Sequence, residues 1–578
     1  MASELIKKLA IWSGCGVAVA GGAVGAYLLL TEENKVENML EYVPANSDFV
    51  ISFDTQQVIT SSGSSIDDGK IVQSASLEKI NDAIQNYWED YMGARLNEEE
   101  LKLFQKWQDF GSEGIIGYEG AVMVMNFPKG DDKLPELYCM ASINDESKFI
   151  ESIEDLTGAD LTFEEIEGYQ TAVYEIDSYE YDYETNEYTE VKKPAYSILL
   201  NDGIAWLVSM KDGEDAVEYI NSQIEEANEE SIIDIAWKND LLAGKHSMAM
   251  LIDTKPIWDL IQEEEQEIAS IELGDIMMNK DYTDSYFQLW CDVIDQEATI
   301  TAGMVTREGK ELQIPFIGNP TINSEFTKYL SKDDMVAISL AIPKGLDYKQ
   351  IAQHYFDLAG KSLPYNFDEQ LAQIKPYLDK IEGATVSIAG GLKNIPLSES
   401  ELQKPSNYDF VAVASLQPGV AQEALDYATT FAQNMGAEIS RTNNGIMFQY
   451  RGVIDTDYDY DYYSGEYRTI ETYDQFELYL SVVGNDLVFA NRPIAPQNDG
   501  SFNASLFNGK VATAILEIPK GHALYKKISE VLPISINPPF GLRSQISINP
   551  TNISWTTSIT GNNGLLLDEI FKYVASFL

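Results

Sequence analysis

Cysteine, histidine and basic side chains are all scarce in this chain, and each shortage excludes a class of chemistry. Three cysteines among 578 residues leave no CxxC motif and no disulfide framework. The three histidines, His246, His354 and His522, form no HExxH and no His/Cys metal spacing. There is no GxSxG nucleophile elbow and no glycine spacing of a phosphate-cradling loop. Acidic residues are so abundant that no carboxylate pair singles itself out as a general acid and base. Lysine and arginine together number 39 against 93 aspartates and glutamates, giving a formal net charge of −54. Phosphate-backbone affinity comes largely from Lys and Arg, so no nucleic-acid partner is expected. Peripheral binding to anionic lipid is opposed for the same reason. Divalent cations, basic partners and plain solubility are favoured.

What is present supports real cores: 44% hydrophobic and 11% aromatic residues are too many for a disordered chain. The length allows two to four domains. Cys15 lies in an apolar N-terminal run. Cys139 and Cys291 lie in strand-like runs, compatible with a disulfide in an exported chain and equally with buried free thiols.

Residues 9–30 read LAIWSGCGVAVAGGAVGAYLLL without a charge, long enough to span a bilayer as a helix. Lys7 and Lys8 precede this run, and Glu32, Glu33 and Glu37 follow it. The positive-inside rule then predicts a cytoplasmic segment 1–8, a transmembrane anchor 9–30 and a linker 31–41. The bulk would be periplasmic or extracellular in a single-pass membrane protein. A cleaved signal peptide fits less well, because Leu28–Leu30 is a poor cleavage site. A lipobox reading of Trp12–Cys15 fails on its Trp and on the apolar run beyond Cys15. Gly21 and Gly25 form a small-xxx-small pair that would let two such helices approach.

Beyond the linker the chain runs twice through one plan, 42–328 and 329–578. Each half opens on an apolar strand, Asp48–Phe53 and Met335–Leu340, followed by helical stretches near 76–108 and 347–381. Glu-Gly-Ala then starts a strand in both, at Glu119 and Glu382. Further strands (Leu137–Ser142, Phe410–Ser415) lead to helices near 145–157 and 418–435. A return strand ends in a tight turn, Asn201-Asp202-Gly203 and Gly484-Asn485-Asp486, where such residues tolerate positive φ. The predicted fold class is α+β: an N-terminal transmembrane helix, then two tandem duplicated modules, each a curved, mainly antiparallel sheet with helices on one face.

Two acidic, tyrosine-rich loops occupy the same place in this plan, 175–193 and 453–475, with seven carboxylates each. Acid and tyrosine alternate with period two, as on the two faces of an extended chain. Asp455, Asp457, Asp459, Asp461 and Glu466 fall at positions 1, 3, 5, 7 and 12 of an EF-hand-like loop. Tyr460 replaces the glycine that makes the sharp turn. They are the candidate Ca²⁺ ligands, against a solvated acidic hairpin that blocks edge pairing.

The opening Tyr42-Val43-Pro44-Ala45-Asn46-Ser47-Asp48-Phe49-Val50-Ile51-Ser52-Phe53-Asp54 resembles a P-A-[DN]-[ST] start. That start belongs to uncharacterised exported, membrane-anchored bacterial protein families, domains of unknown function with repeated α+β modules. The resemblance implies export and architecture and no known activity. The expectation is therefore a non-enzymatic, membrane-anchored extracytoplasmic interaction or scaffold protein. It would contact the membrane through 9–30 and associate with a protein partner or with itself. The alternatives are a Ca²⁺-responsive ectodomain and a carrier of an apolar ligand.

Overall fold

The structure, a computed structural model, describes residues 36–576 apart from several stretches, the longest being 54–61, 80–115, 128–135 and 258–283. The chain divides into two compact units. Among the described residues the first holds those of 36–257, 284–312 and 563–576, and the second those of 313–562.

Ten strands build the sheet of the first unit. They are β1 Phe49–Phe53, β2 Ile116–Asn126, β3 Glu136–Ile143, β4 Glu164–Ile166, β5 Tyr169–Asp182, β6 Glu187–Asn201, β7 Ile204–Val208, β8 Met248–Asp253, β9 Ser285–Ile294 and β10 Glu297–Thr306. All pairings are antiparallel, in the order β4-β5-β6-β7-β3-β2-β1-β8-β9-β10. The second unit has β11 Val336–Ala341, β12 Thr385–Leu392, β13 Tyr408–Ser415, β14 Ile439–Arg441, β15 Gly445–Asp461, β16 Glu466–Val483, β17 Asp486–Ala490, β18 Ala512–Ile518, β19 Gly541–Ile548 and β20 Asn552–Thr560. Its order is β14-β15-β16-β17-β13-β12-β11-β18-β19-β20, again antiparallel. Adding ten to each label of the first sheet generates the second.

Helices cover both faces of the first sheet. On one face Val50, Val122, Val124, Tyr138, Leu199 and Trp206 pack with Ala216, Val217 and Ile220 of α2, where α1 is Glu146–Thr157 and α2 is Gly213–Glu229. The buried positions of α2 recur at helical spacing. Asp212 caps it by accepting the Glu214 and Asp215 N–H groups, and Glu214 and Asp215 favour the positive end of the helix dipole. Each such Val or Ile stabilises the core by roughly 1.5–3 kcal/mol. On the opposite face Ile198, Leu200 and Ala205 pack with Phe149 of α1. The hairpin β6–β7 turns through Asp202 and Gly203, both at positive φ.

In the second unit, one sheet face (Ala337, Ala389, Val411, Val413, Val488, Ile515) is buried by Phe326, Tyr329, Leu330, Phe502 and Phe507. On the other face Leu425 of α3 (Val420–Asn434) packs on Ile446 and Leu480, and Leu487 and Phe489 join them. Gly445 leaves no room for a side chain, because an added Cβ would sit 2.0 Å from the Leu480 carbonyl oxygen. Gly445→Ala is therefore expected to push β15 and β16 apart and cost about 1–3 kcal/mol. A lowered urea midpoint for the second unit alone would record it.

The α+β expectation is corrected. Twenty-two described strands lie in antiparallel ladders, two of them in a short hairpin at 65–72, and described helices are few, and in the first unit the helices lie on both sheet faces rather than one. The acidic stretches read as loops are largely strand, because their Tyr, Thr and Val suit a pleated ladder. The transmembrane helix and the single-pass placement are corrected too. Among the described residues no helix is long and apolar enough to cross a membrane. The longest described helix, α2, has 17 residues and carries several glutamates. Residues 9–30 lie outside the described residues, as does most of 76–108.

Candidate functional site

The acidic segments form two β-ribbons with a common register. Tyr181 stands opposite Tyr188 and Asp182 opposite Glu187, while Tyr460 stands opposite Tyr467 and Asp461 opposite Glu466. A bulge interrupts each ribbon seven residues earlier, after Tyr174 and after Val453. Asp455, Asp457, Asp459 and Asp461 thus sit at alternate positions of one extended strand, and Glu466 starts the return strand. The backbone there is extended strand, about 20 Å over six residues, rather than the tight turn of an EF-hand loop, and the side chains of these five residues lie outside the described ones. Among the described residues no group of three or more His, Cys, Asp or Glu is placed to hold a metal.

Side chains with chemical potential are engaged locally. His246 Nδ1 lies 2.8 Å from Asp292 Oδ1, and the His246 ring lies beside Trp290. Cys291 falls on the opposite face of β9 from these two, by strand alternation, so no Cys–His pair forms. Cys139 and Cys291 are free thiols. Burial pushes Cys139 up to about 12 and also raises Cys291, with Asp292 adding to the latter. Neither is poised as a thiolate nucleophile.

Lys238 is buried and donates to the Ala45 carbonyl oxygen (2.6 Å) and the Tyr286 hydroxyl (3.1 Å). Its ammonium also lies 4.3 Å from the Tyr286 ring centroid. The contact ties down the opening motif, whose Ala45 N–H and Val43 carbonyl are bonded to Glu230 and Ile232. Nearby Arg307 grips Asp253 with two bonds of 2.6 and 2.7 Å. In the second unit Glu517, at the position equivalent to Asp253, is held by Arg543 at 2.9 and 3.1 Å. These pairs secure strand exits in both sheets.

The feature that local pairing leaves unexplained is a bare apolar face on the second sheet. Ladder register lines up Ala412, Ile388, Ile338, Ala514, Ile546 and Trp555 across six strands. The rows on either side begin Ala414-Val386-Leu340 and Phe410-Gly390-Val336 and continue across the same strands. None of the eighteen positions is charged. Ile338 is 51% exposed, Ile388 52%, Ile546 49% and Trp555 52%. Trp555 is oriented by its Nε1–H, which donates to Ser544 at 2.8 Å. Leucine, isoleucine and valine grouped this way on solvent are unusual for a solitary chain, whose scattered exposed apolar residues need no explanation. The equivalent row of the first unit, Cys139-Met123-Ile51-Met250-Leu289-Ala302, is at least partly covered at every position.

Sequence reasoning passed over this face, yet it left a signal. Val336-Ala337-Ile338-Ser339-Leu340-Ala341 carries apolar residues at both strand parities, as do Val386–Ala389 and Ala512–Ile515. Such runs belong to strands covered on both faces.

No protein family, curated protein or solved structure matches this chain.

Proposed function

We propose that this chain is a non-enzymatic interaction protein that engages a polypeptide partner through the bare apolar face of its second sheet. The observation that supports the reading is the uncharged three-row patch across β13, β12, β11, β18, β19 and β20, in a chain of net charge −54. The strands beneath it have the composition of a sheet covered on both sides, and the chain's own described helices leave it open. An enzymatic reading finds no comparable support in the free thiols, the His246–Asp292 pair or the buried Lys238.

A photoreactive amino acid at position 388, with a control at exposed Gln350, tests the reading in the cells that make the protein. A polypeptide adduct is expected at 388 and not at 350. Equal labelling at both positions, or none at 388, contradicts it.

A further inference from the structure

We infer that the occupant of this face is the same face of a second copy, packed sheet on sheet about a twofold axis; the inference rests on the reading of the face as a binding surface. Three observations favour a copy of the chain over a foreign partner.

The first is relief. Along the central row, side-chain size runs small at Ala412, large at Ile388 and Ile338, small at Ala514, then large at Ile546 and Trp555. The next row repeats this with Ala414, Val386, Leu340, Ala512, Ile548 and Ile553. In these two rows the β11–β12 ridge lies beside an alanine trough on β18, while in the third row Leu516 stands on β18 beside Val336. A twofold axis parallel to the strands between β11 and β18 sets Ile338 and Leu340 of each copy over Ala514 and Ala512 of the other, sets Ala412 over Trp555, and brings Ile388 against Ile546. Such a contact is self-complementary, as an isologous interface requires, and packed sheets accommodate it at about 10 Å separation.

The second is charge. Two chains of net charge −54 repel, so they associate only where neither presents a carboxylate. The eighteen positions meet that condition. A basic partner, which the rest of the surface would attract, gains nothing from this face.

The third is area. The outermost positions span about 24 Å across the strands and about 14 Å along them. With side-chain margins, two such faces bury on the order of 1,200 Å², the lower bound of a stable specific contact. A dimer that dissociates on dilution is the consequence.

Sedimentation velocity of the full-length chain across the micromolar range tests this against Ile338→Asp, Ile338→Lys and Trp555→Glu. Wild type is expected to pass from monomer to dimer. Each variant should weaken that equilibrium at least about 100-fold, because it buries an unpaired charge, with unchanged thermal melting. Mixing Ile338→Asp with Ile338→Lys should restore dimers that neither forms alone. Should one variant fail to fold, the others still decide the question.

Wild type that stays monomeric throughout overturns the second copy. If position 388 still cross-links to a different polypeptide, the interaction reading stands. Dimers that persist in all three variants place the contact elsewhere. Flotation with neutral phosphatidylcholine vesicles, lost in Ile338→Asp and accompanied by no dimer, assigns the face to lipid and overturns both proposals.

Discussion

Replacing Asp334 with alanine is expected to destabilise the second unit by about 3–5 kcal/mol. Asp334 is fully buried, and its two oxygens accept from Arg492 at 2.8 and 2.7 Å. One of them also accepts the Ser331 N–H at 2.7 Å. Arg492 is itself largely buried and reaches the Tyr329 carbonyl oxygen. Removing the carboxylate leaves a guanidinium in a site built to neutralise it and strips the Ser331 N–H of that acceptor. The loss is then mostly the penalty of an unpaired buried charge, so Asp334→Ala with Arg492→Met should recover most of it. Urea unfolding followed at Trp555 reads the second unit. A midpoint for Asp334→Ala close to wild type would mean that water solvates Arg492 in the folded state.

The second large effect is a rise of stability with pH in the first unit. Lys238 is brought down to about 8 from 10.5, chiefly by burial. Asp253 opposes that shift, Arg307 adds to it and Glu230 opposes it. The folded pKa lies below the unfolded one, so from about 8 to about 10.5 the unfolded chain holds a proton that the folded chain has released. Stability therefore rises with pH through this window, and the gain is lost as pH falls through about 8. The shift corresponds to on the order of 3 kcal/mol across the window. Buried tyrosines end the rise. Burial holds Tyr138 and Tyr219 above their ordinary 10.0, so the folded state keeps their protons while the unfolded chain loses them, and stability falls beyond that pH. Lys238→Met should abolish the rise between pH 8 and 10 and keep the later fall. Denaturation midpoints from Trp206 and Trp237 fluorescence measure this. Parallel curves for variant and wild type would show that Lys238 is neutral, or equally solvated, in both states.

Much of the strand inventory was legible because period-two runs and turn residues are local signals. Phe410–Ser415, Leu478–Val483 and the Asp202-Gly203 turn are examples. The acidic ribbons were harder. Carboxylates argue for loop, and the register that sets Asp177 opposite Lys192, Asp459 opposite Arg468 and Tyr opposite Tyr is a cross-strand property. Such cross-strand pairs stabilise a ladder but are invisible until the register is known. For the same reason the spacing of Asp455 to Glu466 alone did not reveal the ribbon on which those residues sit. Covering both sheet faces with helices depended on long-range packing, as when Ile198 and Leu199, adjacent in sequence, enter different cores. The bare face was legible in composition and not in consequence. An apolar residue at both parities says that a strand wants two covers, and only the folded sheet says which cover its own chain leaves out.

Hydroxyl-radical footprinting with residue-resolved mass spectrometry tests that claim most directly, because it reads side-chain accessibility on the intact chain. At low concentration Ile338, Ile388, Ile546 and Trp555 should oxidise readily. As concentration rises they should become protected together, while Tyr427 and Phe431, exposed on α3 and outside the eighteen positions, stay reactive. Patch side chains that resist oxidation at every concentration would mean the face is covered within one chain, and side chains equally reactive at every concentration would mean that no second copy covers it.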